Sequence, residues 1–547
     1  MVDQVESLKV ICSGGLYSSE NHLNLSDNLP GCASQLINYE PSLFGGYRRI
    51  NGYEKWDETY PEVGGNEAEG KVLCVAYYRN EHLGNPYLIA ARKDKSGDTY
   101  SFWYHTPYIG WRRMGHTERA FSRGLRTVDK VRFVQYDFGF GSHIVFVDGV
   151  NAAVMFEGKD WFDITPDGDG TEAQAGGDQA LARPSLVDVF ENHVFYSGDD
   201  VFQSVVAHSA PRNAIDLTNA NGAGQLVSGF RVVQIKPFRD NLFVFGNNSI
   251  KKIVTDLEVG FVQEQVTANV GCVSPDSVVE VGGDLMFLAP DGLRPVAGTS
   301  RIGDVELETI SKAIKSLLVD AVAGTQIPSF NGVVVRAKSQ VRYFVDEGSG
   351  GTDVENSGGL VGAMADGENG MAWEFGRLVG IRATCCTSEY IGAEEFVLHG
   401  DYDGIVYRQE VGSSFDGRDI VAVYRTPYLD IGETEVRKTV FKVNTFIRAE
   451  GPFEMNLGLD YDWGDYNTAK PATYFQASLG GPTVYGGGDS VAYGAPNIIY
   501  GGSSKPIIVS DVQGSGFSVR ATYVTVGQSK PYSIQGLVFE YSVEGRR

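Results

Sequence analysis

Asn241-Leu-Phe-Val-Phe-Gly246 is an apolar run that opens on a turn residue and closes on a glycine. Aromatic and β-branched residues fit a pleated, half-buried surface, and Asn and Gly at the ends supply turns. The run therefore reads as one strand of a hairpin. The same unit recurs as Pro86-Tyr-Leu-Ile-Ala-Ala, His143-Ile-Val-Phe-Val-Asp-Gly, His193-Val-Phe-Tyr-Ser-Gly, Asp284-Leu-Met-Phe-Leu-Ala, Gly332-Val-Val-Val-Arg and Glu395-Phe-Val-Leu-His-Gly. From 86 to 395 the starts are spaced by 57, 50, 48, 43, 48 and 63 residues. A period of about 40–50 built only of strands marks propeller blades, because a lone four-stranded sheet cannot cover its own faces. The spacing predicts an all-β chain with a six- or seven-bladed β-propeller over 61–430. Unrelated hairpins in two sandwiches are the alternative.

Beyond the repeat, Val440-Phe-Lys-Val-Asn-Thr-Phe-Ile-Arg448, Phe453-Glu-Met-Asn-Leu-Gly-Leu-Asp-Tyr461 and Phe517-Ser-Val-Arg-Ala-Thr-Tyr-Val524 also alternate in strand fashion. They predict a separate C-terminal β-sandwich over 431–547. Residues 1–60 are expected to add a strand that closes one of the two units. One short helix is predicted over 311–322, where Ile314, Leu317, Leu318 and Ala321 fall on one face and Ser311 or Thr309 can cap. It would decorate an inter-blade connection. Two Gly-rich loops stand out, one around 348–359 and one over 479–503. The second carries Tyr485, Tyr493 and Tyr500, each followed by Gly. Tyr offers a large contact with a polar tip, so these three are the candidate inter-subunit or gate contacts.

The 547 residues include 68 Gly, 28 Tyr and 29 Phe, as many short strands with tight turns require. A net charge of −23 argues against a protein that holds nucleic acid, since phosphate binding needs clustered Lys and Arg. The pairs Arg48-Arg49, Arg112-Arg113 and Arg546-Arg547 read as scattered solvated or inter-subunit contacts. Cys12, Cys32, Cys74, Cys272, Cys385 and Cys386 show no C-x-x-C spacing, so zinc is not expected and buried, reduced thiols are. No basic-then-apolar leader opens the chain, and no apolar run reaches about eighteen residues, so neither secretion nor a membrane span is expected.

No nucleophile elbow, zincin, Walker or Rossmann motif occurs. Asp163, Asp167, Asp169 and Thr171 form an acidic Gly-rich loop without the terminal Glu of an EF-hand, and read as a surface turn. Asp401-Tyr-Asp403-Gly and Asp460-Tyr-Asp462-Trp-Gly read as hairpin turns. Ser96-Gly-Asp98-Thr-Tyr100-Ser-Phe-Trp103 resembles the Asp-box of sialidase-type propellers, with Tyr100 in place of its Gly. That box is a structural turn. No catalytic, cofactor-binding or metal-binding residue is assigned, and no enzyme is expected.

Several blocks resemble tail nozzle and tail-hub propeller proteins of short-tailed, podovirus-like bacteriophages. At the N-terminus they are Gly14-Gly15-Leu16, Leu29-Pro30-Gly31-Cys32-Ala33, Asn38-Tyr39-Glu40-Pro41 and Gly45-Gly46-Tyr47-Arg48-Arg49-Ile50-Asn51-Gly52-Tyr53. In the middle they are Phe238 to Lys251, Asn269 to Val279 and Leu288 to Pro295, and at the end Ser533 to Arg547. The resemblance implies a structural virion protein, assembled in the host cytoplasm into a homohexameric ring in the tail. Such a ring lies below the portal and adaptor, carries fibres or spikes outside, and lets viral DNA pass through its lumen during ejection without tight binding. It implies no catalytic residue and no cofactor. Two other classes stand beside it: a glycan-binding or glycan-cleaving receptor protein at the phage tail tip, and a cellular propeller used as an interaction platform.

Overall fold

The computed structural model describes residues 5–18, 22–57, 70–79, 87–94, 99–106, 110–114, 125–126, 128–164, 182–256, 258, 260–296, 310–318, 329–346, 358–367, 370–432, 434–462, 474–478 and 507–544. Of these, 59% are strand and 6% helix. A helical share above a quarter would have excluded an all-strand propeller.

Six antiparallel blades succeed one another along the chain. The first is Val72–Tyr78, Tyr87–Lys93 and Thr99–Thr106, with Gly110–Arg113 and Leu125–Arg126 along its outer edge. The second runs from Arg132 to Ile164, the third from Leu186 to Val227 and the fourth from Val232 to Thr267, each with four strands. A narrower sheet follows, Val279–Val281, Asp284–Ala289 and Gly292–Pro295. The fifth blade spans Ser329–Val379, and the sixth is Cys385–Ile391, Glu394–Gly400 and Val406–Gln409, completed by Tyr53–Lys55. Each of the seven apolar runs quoted above falls in a different sheet. Six match the second strand of their sheet, and Gly332 falls on the first strand of the fifth blade.

Closure follows from how the faces are covered. Every neighbouring pair of sheets around the axis has its own apolar layer. Phe102, Phe146 and Trp161 join the first and second blades, Tyr136 and Tyr196 the second and third, Ile235 and Phe195 the third and fourth. Phe245 and Phe287 join the fourth to the narrow sheet, Met286 and Val341 join that sheet to the fifth blade, Phe344 and Val397 the fifth to the sixth, and Val75 and Leu398 the sixth back to the first. An inner strand such as Val72–Tyr78 is consequently buried at all seven positions, which is why it reads as a continuous apolar run. Between blade strands, Glu191 and Asn192 both take positive φ, 48° and 62°, the geometry that a two-residue hairpin turn demands.

The remaining described strands form two further layers around one core. The outer strand of the fifth blade, Gly370–Val379, continues through Gln35–Ile37, Ala422–Arg425, Val519–Thr525, Phe453–Tyr461 and Tyr474–Ser478 into a nine-stranded sheet. The facing sheet is Tyr39–Pro41, Tyr47–Arg49, Tyr532–Glu544, Arg437–Ala449 and Ile507–Asp511, with Val5–Ile11 beside the C-terminal half of Tyr532–Glu544. Tyrosines fill the space between them. Tyr39 and Tyr532 hydroxyls lie 2.6 Å apart, Thr445 and Tyr523 hydroxyls 2.7 Å apart, and Tyr47 meets Tyr424 edge-on at 5.0 Å. The N-terminal segment thus adds strands to both units rather than to one. The expected boundary near 430 falls between Ala422–Arg425 and Arg437–Ala449, which belong to opposite layers of this unit.

Residues 312–318 are helical and lie between the narrow sheet and the fifth blade, with Ile314 and Leu318 buried as the spacing requires; residues 319–322 lie outside the described residues. Ser311 does not cap this turn. Its hydroxyl oxygen accepts the Leu293 N–H at 2.9 Å. A second helix, His22–Asn28, was not foreseen.

One buried turn makes a pH prediction. Asp401 Oδ1 accepts the N–H groups of Asp403 and Ile405, each at 2.9 Å, as a hairpin turn should. Burial nevertheless pushes its carboxyl up to about 6. A carboxyl raised on folding contributes stability that is complete below its unfolded value, near 3.9, and is lost as pH rises through 6. Two pH units correspond to about 3 kcal/mol. Asp401→Asn keeps the accepting oxygen and cannot ionise. It is expected to match the parent at pH 4 and to exceed it in stability above pH 6, by up to ~3 kcal/mol, as measured by denaturant unfolding at both pH values.

Candidate functional site

The first turns of the inner strands converge on the propeller axis, so side chains there are the ones a ligand would meet. Cys74, Lys130, Arg132, Asp188, Lys236 and Asp276 line an axial cavity of about 220 Å³. At one end it meets a wider mouth of about 840 Å³, lined in part by Asp129, Asp148, Asp199, Asp200, Arg231 and Asn248. Lys130 and Arg132 border both spaces.

The axial charges are matched within the chain. Arg132 grips Asp276 with two parallel bonds of 2.8 Å and donates a third to the Ser185 carbonyl. Lys236 pairs with Asp188 at 3.0 Å, and Lys130 donates to Asn331 and to the Thr384 carbonyl. Burial alone would raise the Asp276 carboxyl, but Arg132 and Lys130 hold it below the usual carboxylate range. Asp188 holds the Lys236 ammonium above its usual value. Two mouth carboxylates are similarly occupied by turns. Asp199 accepts four backbone N–H groups, which outweigh its burial and lower its carboxyl. Asp148 accepts Val150 and Asn151 N–H and the Tyr100 hydroxyl.

Three axial thiols and one histidine could act as nucleophile or base, and each is held otherwise. Burial raises the thiols of Cys74, Cys385 and Cys386, the last to about 12, and a neutral thiol is a poor nucleophile and metal ligand. His105 resembles half of a catalytic dyad, with Nε2 2.6 Å from Asp57 Oδ2. Its Nδ1, however, accepts the Trp56 indole N–H at 3.1 Å, so the ring's one lone pair is already used. The contact ties the chain that follows Tyr53–Lys55 to the first blade. Among the described residues no group of His, Cys, Asp and Glu could hold a metal ion, and no helix there is long and apolar enough to cross a membrane.

Tyr485, Tyr493 and Tyr500 lie outside the described residues, as do residues 165–181 of the acidic loop and 95–98 of the Asp-box-like segment. Asp460 sits within a strand and pairs with Arg520 at 2.9 Å, so it is not a turn residue. Arg48-Arg49 is not a solvated pair. Neighbours on a strand face opposite ways, and Arg49 points into the core, where it donates to the Ser529 and Gly527 carbonyls. Arg48 faces the other way, onto Glu40 at 2.8 Å and Glu450 at 2.6 Å.

A basic segment escaped the sequence reading. Between Arg112 and Arg132 the chain carries seven Arg or Lys against Glu118 and Asp129, inside a protein of net charge −23. A sliding charge count would have found it. Arg112, Arg113 and Arg126 are exposed on the outer edge of the first blade, whereas Lys130 and Arg132 lie at the axis.

No protein-family model and no curated protein matches the chain. Among solved structures it is similar to Raptor of Chaetomium thermophilum, with 8% identity and a TM-score of 0.36 over 66% of this chain and 29% of that one. It is also similar to the extracellular domain of BT4673 from B. thetaiotaomicron, with 8% identity and a TM-score of 0.34 over 65% and 39%. The chain spans well under two thirds of either, and neither likeness bears on function.

Proposed function

We propose that the chain is a structural virion protein, the subunit of a tail nozzle ring of a short-tailed phage. The observation that carries this reading is where the resembling blocks sit. The N-terminal blocks end at Tyr53 and the C-terminal block begins at Ser533, yet they are adjacent in space. Tyr47–Arg49 flanks the N-terminal end of Tyr532–Glu544. Gly46 backs onto the Ile534 carbonyl so closely that a Cβ would fall 2.1 Å from it. Gly31 accepts hydroxyls from Tyr47 and Tyr424. Blocks that resemble one family, and that also build one folded unit, support the resemblance more than isolated matches do.

The axial chemistry agrees with a structural role, since its charges serve one another. It also limits where DNA could pass. A cavity of about 220 Å³ crossed by the Arg132–Asp276 pair admits no duplex, so a conduit must be the lumen between copies. On this reading the subunits form a ring of six, the portal and adaptor sit above it, and fibres or spikes attach outside. The lumen repels DNA through acidic and neutral side chains, over about one Debye length of ~8 Å.

Imaging of the purified protein by electron microscopy tests this. Closed rings with an open lumen are expected, and isolated propellers or elongated trimers would contradict it. Titration with duplex DNA at low salt should show no tight binding. Strong, salt-sensitive binding would replace the conduit with a DNA-holding role.

A further inference from the structure

We infer that the basic outer edge of the first blade is one half of a head-to-tail contact, and that its partner is a second copy of this chain. Arg112 and Arg113 lie on the edge strand Gly110–Arg113, and Arg126 lies on Leu125–Arg126. Both short strands pair with the same side of Thr99–Thr106. Register sets Arg113 opposite Trp103 and Arg126 opposite Thr99. The two arginines therefore share a face and stand four residues apart along one strand, about 13 Å. None of the three guanidinium groups has a carboxylate partner among the described residues. This differs from Arg48, Arg132 and Arg342, each of which grips one or more acids inside the fold.

An exposed arginine edge fits a polyanion or an acidic protein surface. The charge of the whole chain favours the second. At −23 the protein repels a duplex, and three arginines are a small footprint for phosphate binding. The same −23 opposes self-association unless a local basic surface meets an acidic one.

An acidic counterpart lies elsewhere in the ring of sheets. The outer hairpin of the fourth blade, Ile250–Asp256 and Gly260–Thr267, exposes Asp256, Glu258 and Glu264. Among the described residues, Lys252 pairs with Glu264 at 2.9 Å. This hairpin is three sheets from the first blade in one direction and four in the other. The basic and acidic edges thus occupy different sides of one molecule. A contact between unlike patches is heterologous, which is the kind that builds rings. The inference rests on the ring reading and specifies which surfaces would make the ring.

The test measures particle mass for the parent and for two charge-reversed variants. One carries Arg112→Glu, Arg113→Glu and Arg126→Glu. The other carries Glu258→Lys and Glu264→Lys. All five positions are exposed, and circular dichroism checks that each variant folds. Each variant alone is expected to assemble about tenfold or more weakly than the parent. Mixed together they should regain assembly, because each edge of one then complements an edge of the other. Assembly of the parent should weaken as salt rises. Variants that assemble like the parent, or a mixture that stays dissociated, would overturn the inference and leave the ring reading standing. A parent that is monomeric at every salt concentration would overturn both. Duplex DNA binding by the parent that the arginine variant loses would make the edge a nucleic-acid surface and overturn the self-contact.

Discussion

Arg342→Met is expected to destabilise the fold by about 3–5 kcal/mol, the usual cost of leaving buried charges without their partner. Arg342 is almost wholly buried on the second strand of the fifth blade. Its guanidinium reaches Glu40 at 3.1 Å, Glu410 and the Gln409 amide oxygen. Lys338 bonds the same two carboxylates, and Arg48 carries the network from Glu40 to Glu450. Six charged groups thereby fasten the N-terminal hairpin to the fifth and sixth blades. Burial would raise the Glu410 carboxyl, but Arg342 and Lys338 hold it well below the usual range. Stability from this group is present above the unfolded value near 4.3 and is lost only as pH falls toward the much lower folded one. The variant should therefore lose most at neutral pH and converge with the parent in strong acid. The contrast is Arg408→Ala. Arg408 pairs with Glu394 at the surface, where exposed pairs contribute below about 1 kcal/mol. Denaturant unfolding of both variants checks the difference, and equal losses would contradict it.

Gly31→Val should be at least as damaging. A Cβ at Gly31 would lie 1.6 Å from the Ile11 carbonyl oxygen and 2.6 Å from its carbon. Both obstacles are backbone, so no rotamer relieves the clash. The chain must instead lift Val5–Ile11 from its place beside Tyr532–Glu544, or move the carbonyl that accepts the Tyr47 and Tyr424 hydroxyls. Forced overpacking of this kind costs about 3 kcal/mol or more. Thermal unfolding should show the loss, and limited proteolysis should cut near residue 11 in the variant and not in the parent. Gly45→Ala is the control. Gly45 has positive φ, which Gly31 does not, but nothing lies within 4 Å of its Cβ position, so only backbone strain opposes the change.

The propeller was legible because its evidence is local. A strand packed between two neighbours is apolar on both faces, and the runs at His143, His193, Asn241 and Asp284 announce themselves without knowledge of their partners. Pairing between distant segments leaves no such trace. Nothing in Gln35–Ile37 says that it bridges the fifth blade and Ala422–Arg425, and nothing in Tyr53–Lys55 says that it completes the sixth blade. Arg49 misled for the same reason. An arginine pair reads as surface until the carbonyls of Gly527 and Ser529 are brought to it by the fold. The basic edge was hidden differently, because a net charge averages it away. The axial ion pairs join residues as far apart as Arg132 and Asp276, and only the closed ring of sheets sets them face to face.

We propose that copies of this chain close into a ring of six. Native mass measurement of the purified protein at low salt tests it most directly. A single species close to six times 59.5 kDa is expected. A species at one or three times that mass, at every concentration and salt tried, would contradict it.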